Sequence, residues 1–133
     1  MTRTSALQAV LALEHEAVWL YPVIGAQHDR LAEGARASYD AHRSARDGLL
    51  ARLQRLGVEP VRTALAYDIT GLRTPTTSRR AARRLEQRIA AGCLTLVGVT
   101  EGDERTFAAA GLRRAALAEL AWGGKPTAFP GLP

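Results

Sequence analysis

Apolar residues recur at helical spacing through most of the chain, and almost no segment shows the alternating pattern of a strand. Four segments carry this helical periodicity. The first is expected to begin at Ser5, with Gln8 three residues later in a capping-box pattern, and to end near Gln27. Pro22 lies inside it and predicts a kink, because proline removes a backbone donor and clashes with the preceding turn.

The second segment pairs with the first. It extends from Leu31 to Leu56 and is expected to end at Gly57, since glycine readily adopts the left-handed conformation that terminates helices. A short polar turn around His28 and Asp29 separates the two segments. Short connections make helices antiparallel neighbours, so a helical hairpin is predicted.

A long connection follows, reading "VEPVRTALAYDITGLRTPTT", in which prolines and threonines interrupt the periodicity. The third segment is expected from Thr77 or Ser78 to Val99. The fourth, capped by Thr100, is expected to end at Gly123-Gly124. Because about twenty residues can span roughly 66 Å when extended, the connection can cross the length of a helix bundle.

Two helical hairpins joined by one long crossover are the arrangement of a ferritin-like four-helix bundle. We therefore predict an all-α fold in which residues 1–133 form a single domain. Residues 123–133 are expected to form a packed or flexible tail, with Phe129 and Leu132 packing it against the bundle. The apolar positions of the fourth segment are Phe107, Leu112, Leu117 and Leu120.

Composition sets the class of protein. The chain has 133 residues, of which 47% are hydrophobic, and this is enough for one buried core. No apolar run approaches the roughly 20 residues of a membrane span, and no signal peptide is evident. Cys93 is the only cysteine and cannot form an internal disulfide. A cytoplasmic location is therefore expected.

The chain is basic, with a net charge of +5, and Lys125 is the single basic residue that is not arginine. The densest cluster, "SRRAARRLEQR", places its arginines opposite Ala82, Leu85 and Ile89, which is typical of a solvated helix face. Nucleic acid would favour a concentrated patch with aromatic residues for stacking. Nucleic-acid binding is therefore only a remote alternative, because charge alone gives non-specific affinity.

The candidate chemistry lies at the middle of the predicted bundle. Glu14 and His42 are at similar distances from the first turn, so antiparallel helices hold them at similar height. Glu86 lies at a comparable distance from the second turn, near Glu101. All three side chains fall on inward-facing stripes, so we expect them to converge on one level of the core.

Two interpretations of this convergence remain open. Glu14, His42 and Glu86 can bind a single divalent ion, since two carboxylates and one imidazole can hold iron or zinc with open positions. Alternatively, arginines pair with the two carboxylates and His42 hydrogen-bonds within that network, because the guanidinium fork satisfies a carboxylate at two points. The candidate arginines are Arg46, Arg113 and Arg114.

We favour the polar network, and therefore no cofactor. Ferritin-like dinuclear sites use a Glu-x-x-His motif on each of two helices, but Tyr39 stands three residues before His42. Trp19 and Tyr21 lie just before Pro22 and are expected to cover a subunit interface or the edge of the core, or else to line a pocket opened by the kink. His28 is expected to be exposed in the turn.

The segments "ALQAVLALEHEAVWLYPVIGA", "YDAHRSARDGLLARL", "EPVRTALAYDI" and "AFPGLP" resemble an uncharacterised ferritin-like domain family of high-GC bacteria. The most specific part is the His-Arg-x-x-Arg-Asp segment, here His42, Arg43, Arg46 and Asp47. The resemblance covers nearly the whole chain and implies a compact four-helix bundle, often an oligomer, without implying an established reaction. The family usually has glycine where this chain has Pro22.

The leading functional hypothesis is a non-storage ferritin-like protein with a degenerate central Glu/His/Arg cluster, which binds a small molecule or a protein partner and forms a homodimer. The rival hypothesis is an enzyme. It would use Glu14 and Glu86 as acid and base, or would use them with His42 as ligands of one metal that activates oxygen or water.

Overall fold

The computed structural model describes residues 1–133 and contains four long helices and no strand. The helices are α1 (Arg3–Gln27), α2 (Ala32–Arg55), α3 (Pro75–Gly98) and α4 (Gly102–Ala121). Helix α1 packs against α2 and α3, and α3 packs against α4. The predicted all-α bundle of two antiparallel hairpins joined by one crossover is confirmed. No helix has both the length and the hydropathy of a membrane span.

Helix α1 begins two residues earlier than the sequence predicts. Thr2 is the N-cap: its hydroxyl oxygen accepts a hydrogen bond from the Ser5 amide at 3.1 Å, and the Thr2 amide donates to the Ser5 hydroxyl at 3.0 Å. These two bonds satisfy donors that the helix itself leaves free. Gln8 takes no part in the cap.

Helix α3 also begins earlier than predicted, at Pro75. Thr74 and Thr77 form the same reciprocal cap, and Pro75 occupies the first helical position, where its missing amide costs no hydrogen bond. Helix α4 is not capped by Thr100. Its N-cap is Glu101, while the buried Thr100 hydroxyl donates to the Leu96 carbonyl at 2.6 Å.

The end of α2 agrees with the prediction. Gly57 has a φ of +68°, which glycine tolerates because it lacks a Cβ. Its amide donates to the Gln54 carbonyl, and the Val58 amide donates to the Leu53 carbonyl, both at 3.0 Å. This pair of bonds is a Schellman motif.

Helix α4 buries small residues. Its buried positions are Ala108, Gly111 and Ala115. The larger apolar residues are Phe107 and Leu112, which are half-buried, and Leu117 and Leu120, which are exposed. A Cβ on Gly111 would lie 3.0 Å from the Cys93 sulfur on α3, so glycine permits this close approach of the two helices.

The C-terminal tail packs through its backbone. Phe129 and Leu132 are 72% and 59% exposed, so the prediction that these side chains hold the tail is wrong. Gly131 makes the approach instead. Its φ is +90°, and a Cβ at this position would lie 2.8 Å from the Ala90 carbonyl oxygen of α3.

Side chains of α1 hold the crossover, residues 56–74. The Gln8 amide group donates to the Glu59 carbonyl at 2.8 Å and accepts from the Val61 amide at 2.7 Å. His15 Nε2 lies 2.9 Å from the Val61 carbonyl. His28, the C-cap residue just after α1, places Nε2 2.9 Å from the Leu72 carbonyl. Its side chain is half-buried, so the prediction that it is exposed is wrong.

Candidate functional site

A histidine lies between two glutamates in the core of the bundle. His42 Nδ1 on α2 is 2.6 Å from Glu14 Oε2 on α1, and His42 Nε2 is 2.6 Å from Glu86 Oε1 on α3. The exposed fractions of Glu14, His42 and Glu86 are 1%, 2% and 0%. The structure therefore brings these three side chains to one level of the core, as the hairpin register predicts.

His42 carries a positive charge at neutral pH. Burial lowers the pKa of His42, but the hydrogen bonds and negative charges of Glu14 and Glu86 outweigh that effect and raise the pKa to about 9. Both ring nitrogens are donors in the charged form. The imidazolium therefore donates one hydrogen bond to each glutamate.

Tyr21 supplies a further donor to this Glu–His–Glu cluster. Its hydroxyl donates to Glu86 Oε1 at 2.6 Å, and its ring stacks on the imidazole of His42 with centroids 5.5 Å apart. Burial, followed by the negative charge of Glu86, raises the pKa of Tyr21 above its ordinary value. The hydroxyl therefore stays protonated and remains a donor.

Trp122 and Ser38 complete the surroundings of Tyr21, and sequence reasoning missed both. The rings of Trp122 and Tyr21 stack with centroids 5.5 Å apart, and Trp122 Nε1 donates to the Ser38 hydroxyl at 3.1 Å. The available signals were that Trp122 is an aromatic residue at the end of the fourth segment, and that Tyr21 shares the stripe of Glu14.

One atom of the cluster has no partner. Glu86 Oε1 accepts from both His42 and Tyr21, whereas Glu86 Oε2 is buried without a hydrogen bond.

The free thiol of Cys93 lies nearby on α3. Burial, followed by the charge of Glu14, raises the pKa of Cys93 to about 12. Cys93 is therefore a thiol at neutral pH and a poor nucleophile.

The predicted arginine partners of the glutamates lie elsewhere. Arg46 donates to Asp47 Oδ1 at 3.1 Å from Nε and 3.0 Å from Nη2, and Arg113 and Arg114 make no hydrogen bond with Glu14 or Glu86. The prediction of a guanidinium–carboxylate network is wrong in this respect. The imidazolium of His42 already pairs with both carboxylates, so a second buried cation would add a large desolvation cost.

The residues do not fit the dinuclear metal centre that is typical of ferritin-like proteins. The two nitrogens of His42 point in different directions, each at a different glutamate, so the ring separates the two carboxylates. No group of three His, Cys, Asp or Glu side chains in the structure has the arrangement of a metal site.

Tyr39 is half-buried, and the Arg43 guanidinium lies 5.7 Å from its ring centroid.

A groove of about 480 Å³ lies between α1 and α2 beside Pro22. The fully buried Tyr21 borders this groove, whereas the ring of Trp19 packs on Tyr67 of the crossover at a centroid distance of 5.0 Å. Helix α1 continues through Pro22 to Gln27. The other residues that line the groove are Gly25, Ala32, Ala35, Arg36, Tyr39, Asp40 and Arg43.

The fold and the cluster define a small all-α helical-bundle protein with an ion-paired polar centre. The chain belongs to the family described as a domain of unknown function, DUF4439, whose sequence profile matches residues 6–133. A solved structure is similar: a conserved hypothetical protein, rv2844, from Mycobacterium tuberculosis. It shares 25% identity and a TM-score of 0.84, over 90% of this chain and 93% of that one. A comparison with curated proteins finds no match.

Proposed function

We propose that the protein is a non-storage ferritin-like protein that acts as a binding module, and that its Glu–His–Glu cluster stabilises the bundle. One observation supports this proposal above the others. Both nitrogens of His42 are engaged at 2.6 Å in the core, and Tyr21 donates to the same carboxylate as His42 does. A group that acts on a substrate needs a free proton-transfer position within reach of that substrate, and this imidazole has none.

A metal titration combined with stability measurements tests the proposal. Untagged protein is titrated anaerobically with Fe(II) and separately with Zn(II), and heat and bound metal are measured. We expect no stoichiometric binding. We also expect a large stability loss for Glu14→Ala and a small one for Arg46→Ala, because Arg46 pairs only with the exposed Asp47. Stoichiometric metal binding that His42→Ala abolishes and Arg46→Ala preserves would overturn the proposal.

The second candidate is an enzyme that uses Glu14, His42 and Glu86 as acid/base groups or as ligands of a single iron or zinc ion. The unpartnered Glu86 Oε2 favours it, because a buried carboxylate oxygen normally has a hydrogen-bond or metal partner. The titration above tests the metal-dependent form of this candidate, since metal binding by this cluster would require His42 to leave its present position between the glutamates.

The remaining expectations concern partners and location. We propose a homodimer in the cytoplasm, with a small molecule or protein as the ligand. Nucleic acid stays a remote alternative. Of the five clustered arginines of α3, Arg83 donates to the Trp122 carbonyl and Arg88 pairs with Glu16, whereas Arg79, Arg80 and Arg84 make no hydrogen bond. A salt-sensitive gel shift would revive this alternative.

A further inference from the structure

We propose that the groove beside Pro22 binds a small amphipathic ligand with one carboxylate, an inference that rests on the proposed role as a binding module. Its volume of about 480 Å³ lies within the range of small-molecule sites. The groove is formed by the outer surfaces of α1 and α2 and is separate from the Glu–His–Glu cluster. Tyr21 alone belongs to both.

The charges on the groove favour an anion. Arg36 and Arg43 stand one on each side of Asp40 along α2, and neither guanidinium makes a hydrogen bond within the protein. Arg36 Nε is 4.0 Å from Asp40 Oδ2, a distance beyond a direct hydrogen bond. Two arginines against one aspartate leave a single positive charge, which matches a monoanion. Free guanidinium donors bind carboxylates in a planar, two-point geometry.

The floor of the groove indicates that the rest of the anionic ligand is apolar. Pro22, Gly25, Ala32 and Ala35 present no polar side chain. Gly25 allows the two helices to approach closely, because a Cβ at this position would lie 3.4 Å from the Ala35 Cβ. Tyr39 adds an aromatic surface to the wall. An aromatic or aliphatic carboxylate therefore matches both the charge and the surface.

The test uses 2-naphthoate as the anionic probe and neutral 2-naphthamide as its uncharged equivalent, followed by ¹H–¹⁵N spectra of the full chain. We expect saturable shifts of the Gly25, Ala35 and Tyr39 amides with naphthoate. The double variant Arg36→Ala/Arg43→Ala should weaken this binding about tenfold or more, because the charge-assisted hydrogen bonds to the carboxylate are lost. Naphthamide should bind wild type with similarly reduced affinity.

The matched control is Arg79→Ala/Arg80→Ala, which removes the same charge from exposed, unpaired arginines of α3 and should bind naphthoate as wild type does. Ala32→Trp, at an exposed position, should fill the groove and abolish binding. The inference is overturned if naphthoate leaves the groove amides unshifted, or binds both double variants equally. Either result is distinct from stoichiometric metal binding, which would overturn the proposed function itself.

Discussion

The imidazole of His42 lies nearly parallel to the phenol ring of Tyr21, with an interplanar angle of 6° and centroids 5.5 Å apart. The Tyr21 hydroxyl and His42 Nε2 both donate to Glu86 Oε1. The stacking and the shared acceptor fix the imidazolium so that its other nitrogen meets Glu14 at 2.6 Å. The polar centre is thus one hydrogen-bonded unit built from three helices. Removal of one member should therefore weaken the hydrogen bonds of the others.

Among the members of the cluster, removal of His42 should cause the largest loss of folding stability. His42→Ala leaves Glu14 and Glu86 in the core without the cation between them, and breaking a buried ion pair in this way typically costs about 3–5 kcal/mol. Urea unfolding at pH 7 measures the change. His28→Ala is the control, because it deletes one hydrogen bond to the Leu72 carbonyl and should cost only about 1 kcal/mol. Equal losses for the two variants would contradict an ion-paired centre.

The stability of the protein should fall as the pH rises from about 6.5 to about 9. The pKa of His42 is about 9 in the folded protein and 6.5 ordinarily, so the folded state holds a proton that the unfolded chain releases. The stabilisation is complete below pH 6.5 and is lost through this window, by roughly 3 kcal/mol. Cys93 and Tyr21 contribute losses only at higher pH, since their ordinary pKa values are 9.0 and 10.0.

Two measurements check this pH dependence. Free energies of unfolding across the window should decline for wild type and stay nearly level for His42→Gln, which cannot carry the charge. The ¹⁵N shifts of the His42 ring should titrate with a midpoint near 9. A midpoint below 7 would show that the glutamates do not hold the imidazolium.

Tyr21→Phe tests the second donor to Glu86. The variant keeps the aromatic stacking and removes only the hydroxyl, so one bond to a buried carboxylate is lost and the expected cost is about 1–3 kcal/mol. Tyr39→Phe is the matched control, because the half-buried Tyr39 hydroxyl makes no hydrogen bond and its loss should be nearly neutral. A neutral Tyr21→Phe would mean that water replaces the phenol.

Helical periodicity located the buried Glu14, His42 and Glu86 but could not show which side chains pair with them. The spacing of Glu14, His42 and Glu86 from their turns places them at one height, since rise per residue is fixed in a helix. The choice of partner depends on rotamers and desolvation in three dimensions, which periodicity does not contain. Arg46 was therefore placed in the core by spacing, whereas its guanidinium pairs with Asp47 at the surface.

Contacts between segments that are distant in the sequence were also not predictable from the sequence pattern. Trp122 meets Ser38 across 84 positions of sequence, and only the assembled bundle brings the end of α4 to α2. The crossover has the same difficulty, because Gln8 resembled a capping residue and in fact binds the crossover 51 and 53 positions away. Local sequence patterns indicate hydrogen-bond partners that are close in the sequence. Partners that are far apart in the sequence depend on how the whole chain folds.

The crossover should loosen when Gln8 is replaced. Gln8→Ala removes both side-chain bonds to the Glu59 and Val61 backbone, so this stretch should open more often while the helices stay intact. Limited trypsin digestion should then cut faster after the exposed Arg62. Gln54→Ala is the control, because that exposed glutamine makes no side-chain hydrogen bond. Equal cleavage rates would show that other contacts hold the segment.

Position 48 should tolerate only glycine, because the ring of Phe107 on α4 leaves no room there for a Cβ. A Cβ at Gly48 would lie 2.9 Å from Phe107 Cε2, and the ring is confined there by the Arg52 guanidinium 3.7 Å from its centroid. Gly48→Ala should therefore destabilise the protein by about 1–3 kcal/mol through overpacking, despite alanine's higher helix propensity. Gly98→Ala has no atom within 4 Å of the new Cβ and should be neutral or stabilising. Thermal unfolding of both variants measures the contrast, and stabilisation by Gly48→Ala would mean that α2 and α4 are not in contact at this position.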